Sequence, residues 1–145
     1  MAAKISIRKP DDREFGIVVP KYDNSQRKIK VDLIKKVATE MSKHFGGATI
    51  FPTVLGAWVD DNGNLQVEEN VLITSMRDVE SPEDIEKVKE DEQFMKKLAQ
   101  MVGNEFGQAY VMITDDIKEV DFVEGRYKEE LPKSKVGIDF FSKLI

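Results

Sequence analysis

His44 is the only histidine of the chain, and its imidazole is the first group whose chemistry matters. An unperturbed imidazole titrates near the pH at which proton transfer is useful, so His44 could act as a general base. Alternatively, it lies in the last turn of a helix, where its protonated form is stabilised by the negative end of the helix dipole. No nucleophile or orienting acid can be paired with it from the sequence. We therefore favour the structural interpretation.

Four acidic residues, Asp60, Asp61, Glu68 and Glu69, lie on either side of a turn and could together hold a hard cation. A calcium-binding EF-hand loop requires glycine at its sixth position. Counted from Asp60, that position is Leu65, and the glycine of the turn comes too early. We therefore interpret these acids as solvated turn charges, and we expect no metal and no cofactor.

The segment HFGGAT contains two adjacent glycines, which could indicate a phosphate-binding loop. Such loops lie between a strand and the N-terminus of the following helix, where free N–H groups face the anion. Gly46 and Gly47 instead follow a predicted helix and precede a predicted strand. We therefore expect one of them to adopt positive φ and to end the helix.

The secondary structure that must position these residues has the order β-α-β-β-α-β. Periodicity and turn signals predict strands at 14–22, 48–58, 65–73 and 109–114, with helices at 31–45 and from 81 onward. Pro52 and Gly56 predict an irregular second strand. The fold class is therefore α+β, a ferredoxin-like βαββαβ two-layer sandwich with an antiparallel sheet and both helices on one face.

The predicted domain spans residues 14–125, between an N-terminal arm at 1–13 and a C-terminal tail at 126–145. In the tail, Ile138, Phe141 and Leu144 recur at a spacing that predicts a short amphipathic helix, which docks on its own domain or on a partner. The uncovered sheet face and this apolar tail both require a partner surface. We therefore expect a homodimer or a higher homo-oligomer.

The composition excludes several classes of function. The 145 residues include no cysteine, which excludes disulfides, thiolate nucleophiles and zinc ribbons. The net charge of −5, with acids and bases interspersed, opposes binding to nucleic acid. We find no apolar signal segment and no stretch of membrane-spanning length, so we expect no membrane partner and a cytoplasmic location.

The block from Phe45 to Glu68 resembles a family of small uncharacterised bacterial and phage proteins, some of which are described as lipoproteins. The matching residues are Phe45, Gly46, Gly47, Thr49, Gly56, Trp58, Gly63 and Glu68. This chain lacks the cysteine that a lipoprotein would lipidate. The resemblance implies a βαββαβ-like fold and a hairpin that matters, and the family has no established activity to carry over.

Two hypotheses about function remain. In the first, the chain is a noncatalytic α+β domain, of phage or other mobile-element origin, that self-associates or binds a protein or a small ligand. In the second, it is a small enzyme or a ligand-sequestering protein whose pocket contains Thr49, Trp58, Glu68 and His44. Because no pair of residues forms a convincing catalytic site, we favour the first. Aromatic residues on strands are also more often core or interface than ligand-binding, which favours a structural role for Trp58.

Overall fold

A computed structural model describes residues 12–22, 31–119 and 123–125 of the chain. The elements are β1 (Arg13–Pro20), α1 (Val31–Phe45), β2 (Thr49–Val59), β3 (Leu65–Arg77), a 3-10 turn (Pro82–Asp84), α2 (Ile85–Phe106) and β4 (Ile113–Ile117). The predicted tail and almost all of the predicted arm lie outside the described residues. In the described part of the chain, no helix is long and apolar enough to cross a membrane.

The four strands form an antiparallel sheet in the order β2-β3-β1-β4. Both helices pack on one face of this sheet. The ferredoxin-like fold class predicted from the sequence is therefore confirmed. On the opposite face, called here the open face, no helix packs among the residues that the structure describes.

Strand alternation decides which side chains reach the core. On β1, Phe15, Ile17 and Val19 point towards the helices and are fully buried, while the residues between them point to the open face. On β3, Val71 and Ile73 continue the buried layer. The helices contribute Ile34, Val37, Met41, Val88, Met95, Leu98, Val102 and Phe106 to the same core.

The β2-β3 hairpin projects beyond the rest of the sheet. Pairing between β1 and β3 ends at Pro20 and Asn70, whereas β2 and β3 remain paired as far as Val59 and Leu65. The part beyond β1, residues 55–59 and 65–69, is called here the distal hairpin. It exposes several large apolar side chains, and Trp58, for which a structural role in the core or an interface was expected, has 55% of its surface exposed.

Glycines end both helices. Gly46 has φ 93° and follows α1 directly, as predicted, and its N–H donates to the carbonyl of Ser42 at 2.8 Å. Gly107 ends α2 with φ 66°. The turn at Gly46 lets α1 finish with His44 facing α2 and sends β2 back along the sheet.

Candidate functional site: a groove on the open face

A groove of about 610 Å³ lies on the open face, a volume within the usual range for small-molecule sites. Its middle is apolar because Val18 of β1 pairs with Leu72 of β3, and Pro20 and Val54 lie beside them. The loop at 108–112 forms one wall, where Tyr110 is 94% exposed. The groove therefore has an apolar floor and one aromatic wall.

The start of β4 differs from the sequence prediction. We expected a strand at 109–114, but β4 begins at Ile113. Met112 still accepts a hydrogen bond from the N–H of Val18, at 3.0 Å, while residues 109–111 lie outside the ladder, and Tyr110 and Val111 line the groove. The β-propensity of the apolar run at 109–114 predicted a strand over its whole length. The path of the loop after α2 decides where pairing between β4 and β1 begins.

One end of the groove contains a buried amide, a carboxylate and a glycine. Asn70 is 6% exposed, and among the described residues its Nδ2 donates one hydrogen bond, of 3.5 Å, to the backbone carbonyl of Glu68. That distance is at the long limit for a hydrogen bond. The carboxylate of Glu68 makes no ion pair with any residue in the described part of the chain. We call Asn70, Glu68 and Gly56 the amide end of the groove.

A bulge in β2 places the glycine at the amide end. Phe51 pairs with Leu72, but Val54 pairs with Asn70, so β2 contains one extra residue between these pairs. As a result, Gly56 lies opposite Glu68, where Leu55 would otherwise lie. The irregularity predicted for this strand is thus confirmed, and its effect is to place a glycine where the side chains of Asn70 and Glu68 lie against β2.

The opposite end of the groove is polar as well, and the carboxylates of Glu14 and Asp116 line it. Gly16 lies between Thr74 and Thr114, and a Cβ at Gly16 would overlap the hydroxyl of Thr114. Two residues further along β1, Glu14 accepts a 2.9 Å hydrogen bond from Nζ of Lys118. This bond raises the pKa of Lys118 above its ordinary value, and the charge of Asp116 acts in the same direction. A cation therefore lies beside the acids of this end, whereas Glu68 at the amide end has no ion pair among the described residues.

Of the four predicted site residues, Glu68 lines this groove. Trp58 lies two residues beyond Gly56 on the same strand, opposite Gln66 and outside the groove. Thr49 is at the start of β2, opposite Thr74, and does not contribute to the lining. His44 belongs to the helical layer. The structure therefore does not bring the four residues into one pocket, and a ligand-binding role for each of them stays a prediction.

His44 contacts a buried acid that the sequence analysis missed. Its Nε2 lies 2.7 Å from Oδ1 of Asp91, which is 1% exposed. Arg77 donates to both oxygens of the same carboxylate, through Nε at 2.7 Å and Nη2 at 2.9 Å. The hydrogen bond to Asp91 is the main cause that raises the pKa of Arg77 above its ordinary value. We call these three residues the Asp91 cluster.

Aromatic rings enclose the histidine of the Asp91 cluster. The imidazole of His44 stacks on Phe94 with 4.0 Å between ring centroids and meets Phe45 edge-on at 4.7 Å. The cluster joins the end of α1 to α2 and to the end of β3. One signal in the sequence could have identified Asp91, because it occupies a core position between Val88 and Met95 on the apolar face of α2.

No metal-binding arrangement is present among the residues that the structure describes. No group of three or more histidine, cysteine, aspartate or glutamate side chains there is suited to hold a metal ion. The acids at the hairpin turn have a local role instead. Asp60 accepts hydrogen bonds from the N–H groups of Asn62 and Asn64 and from the Gln66 side chain, which lower its pKa.

Comparison with known proteins gives similarity in fold. No protein-family model and no curated protein sequence matches the chain. A phage SAM lyase in complex with S-methyl-5′-thioadenosine superimposes with a TM-score of 0.52 and 18% identity, over 90% of this chain and 100% of the lyase chain. A divalent cation tolerance protein from Thermus thermophilus gives a TM-score of 0.43 and 12% identity, over 79% of this chain and 87% of the other. The similarity to the family with the Phe45 to Glu68 block stays a prediction.

Proposed function

We propose that this domain binds a small, positively charged, nucleoside-like ligand in the groove of the open face, and that it does so as an assembly of copies of the chain. The observation that carries the proposal is the amide end of the groove. There, a carboxylate without an ion pair among the described residues and a buried amide with little hydrogen bonding lie beside Gly56 at the border of the groove.

The charge pattern of the groove favours a cation. Glu14 at the far end is compensated by Lys118, whereas Glu68 has no cationic neighbour among the described side chains. A sulfonium group makes no hydrogen bonds of its own, so it can lie against the apolar floor at Val18 and Leu72 while its charge is attracted to Glu68. A strongly hydrated cation would lose more hydration in the same place.

The nucleoside part of the proposal draws on the structural comparison. A phage SAM lyase of similar fold binds S-methyl-5′-thioadenosine, a neutral thioether nucleoside. S-adenosylmethionine is the corresponding sulfonium. This pair of molecules differs mainly in charge and in the amino acid side chain, so together they test the role that we assign to Glu68.

Self-association is proposed from the outer edge of the sheet. β2 is an edge strand, and none of its eleven residues from Thr49 to Val59 is charged. Exposed edge strands usually carry charges that discourage pairing with another chain. The distal hairpin adds exposed Leu55, Val59 and Leu65 to this surface. We propose that a second copy of the chain covers the β2 edge and the distal hairpin.

Titration calorimetry of the full chain tests the binding proposal. We expect binding of S-adenosylmethionine, and we expect Glu68→Gln to weaken that binding about 10-fold, by roughly 1.4 kcal/mol, through loss of the charge attraction. Binding of S-methyl-5′-thioadenosine should change little. Glu69→Gln is the matched control, because the neighbouring side chain points to the other face of the hairpin.

Two calorimetric results would contradict the binding proposal. One is that neither S-adenosylmethionine nor S-methyl-5′-thioadenosine binds to the unmodified chain. The other is an equal loss of affinity in Glu68→Gln and Glu69→Gln, since a general effect of net charge would then explain the change.

Light scattering at micromolar concentration tests self-association. We expect a multiple of 16.5 kDa for the chain, and a shift towards the single-chain mass for Val59→Glu, which places a charge on the apolar hairpin surface. Ile117→Glu is the control, because Ile117 is similarly exposed but lies on β4 at the other edge. A single-chain mass for the unmodified protein would exclude the assembly.

A second candidate function is catalysis on the same ligand. The specific observation in its favour is again the carboxylate of Glu68, which has no ion-pair partner among the described residues and could stabilise or deprotonate a bound sulfonium. If Glu68 removes a proton from the carbon next to the one bonded to sulfur, the C–H electron pair forms a C=C bond as the C–S bond breaks. The electron pair of the C–S bond stays on sulfur, so the products are the neutral thioether and an unsaturated amino acid, and the proton is held by Glu68. Chromatographic detection of S-methyl-5′-thioadenosine formed by the chain, and not by Glu68→Gln, would place this candidate first.

A further inference from the structure

We infer that Asn70 selects the base of the bound nucleoside, by pairing its side-chain amide with the edge of adenine. This inference rests on the proposed binding of a nucleoside in the groove. It assigns a specific contact to Asn70, because a purely structural role does not explain why a polar side chain lies at this buried position.

The first step of the argument is the burial of Asn70. The residue is 6% exposed and lines the groove, whereas its neighbours on the open face, Leu72 and Val18, are apolar. An asparagine amide offers two donors and a carbonyl acceptor, and in the described part of the chain a single 3.5 Å contact to the carbonyl of Glu68 uses them. A buried polar side chain normally has strong partners, because leaving them unmade costs free energy.

The second step is the position of the amide at the groove. A Cβ at Gly56 would lie 3.1 Å from Nδ2 of Asn70 and 3.4 Å from Cγ of Glu68. Glycine at this position therefore allows the side chains of Asn70 and Glu68 to lie directly against β2. Because the bulge in β2 aligns Gly56 with Glu68, all three residues border the groove.

The third step is hydrogen-bond complementarity. Adenine presents a donor, the N6 amino group, beside an acceptor, N7, and an asparagine amide matches both at once. Guanine presents two acceptors, O6 and N7, at the same edge, so the amide can satisfy only one of them. The Watson–Crick edge of guanine instead offers two adjacent donors, which match a carboxylate. Replacing the amide by a carboxylate should therefore reverse the preference.

The test compares adenosine and guanosine binding to the full chain by calorimetry. We expect the unmodified chain to prefer adenosine by about 10-fold or more, as a bidentate contact would give. Asn70→Asp should lose about 10-fold in adenosine affinity and should gain guanosine affinity. Gly56→Ala should reduce the preference as well, since its Cβ displaces the amide, and it provides the decisive comparison if Asn70→Asp does not fold.

The outcomes separate this inference from the proposed function. If S-adenosylmethionine binds but adenosine and guanosine bind equally, or if both variants keep the preference for adenosine, the role of Asn70 is wrong and the groove proposal stands. If the unmodified chain binds neither S-adenosylmethionine nor adenosine, both are wrong. Reversal of the base preference in Asn70→Asp supports both.

Discussion

The Asp91 cluster and the amide end of the groove both bury a polar side chain, but they differ in how fully the hydrogen bonds of that side chain are formed. The carboxylate of Asp91 has three charge-assisted contacts of 2.7 to 2.9 Å, from Arg77 and His44. Among the described residues, the amide of Asn70 has one contact, at 3.5 Å. A buried polar group whose hydrogen bonds are all formed stabilises the fold. A polar group with few hydrogen bonds that lines an open groove is available to a ligand.

The comparison also separates two residues that look equally suited to chemistry in the sequence. His44 and Glu68 were both candidate ligand-binding residues. In the structure, Nε2 of His44 is committed to Asp91 and its ring is packed against Phe94, while the carboxylate of Glu68 borders the groove. The histidine is therefore expected to affect stability, and the glutamate is expected to affect binding.

The largest expected effect is the loss of the guanidinium that neutralises Asp91. Arg77→Ala should destabilise the fold by about 3–5 kcal/mol, because it leaves a buried carboxylate without its main counter-charge. Chemical denaturation measures the change. Lys36→Ala, which breaks the exposed pair with Glu105, is the control and should cost no more than about 1 kcal/mol. Equal effects of the two substitutions would show that Asp91 does not depend on Arg77.

A smaller effect is expected at the histidine. His44→Ala removes a hydrogen bond to a charged group and a ring that packs on Phe94, and it should cost about 1.5–3 kcal/mol. The affinity for S-adenosylmethionine should stay unchanged, because His44 does not line the groove. A variant with normal stability in denaturation but weakened binding would reverse the roles that we assign to the two regions.

The smallest expected effect concerns the turn that brings His44 to the end of α1. Gly46→Ala should cost about 1 kcal/mol, since Gly46 has φ 93° and alanine is strained there although nothing lies near its Cβ. Gly47→Ala is the control, because Gly47 lacks positive φ and also has open space around it. Equal stabilities of the two variants in denaturation would contradict the capping role.

Local patterns in the sequence predicted the fold well. The periodicity over 31–45 and the glycines after it predicted α1 and its end. A second helix was predicted from residue 81 onward, and the structure has the 3-10 turn at Pro82–Asp84 followed by α2. In the structure, the Asp84 carboxylate accepts hydrogen bonds from the N–H groups of Glu80 and Ser81 there. These features depend on residues close in the chain, so a single sequence contains the information.

The site depended on contacts that a single sequence does not contain. Nothing in the sequence indicates that Asn70 lines a groove. Its position there follows from the register of three strands and from the bulge in β2. Trp58 was expected in the core or at an interface because of its residue type, but only the structure places it on the part of the hairpin that extends past β1. Both depend on how far each strand extends, which tertiary packing decides.

The most direct test of the account is an NMR titration of the uniformly ¹⁵N-labelled full chain with S-adenosylmethionine, followed through its backbone amide signals. We predict shifts at Gly56, Asn70 and Thr74, which border the groove, and unchanged signals at Arg77 and Asp91. Shifts confined to the Asp91 cluster, or no shifts at any concentration of the ligand, would contradict the proposal that the open face of the sheet is the binding surface.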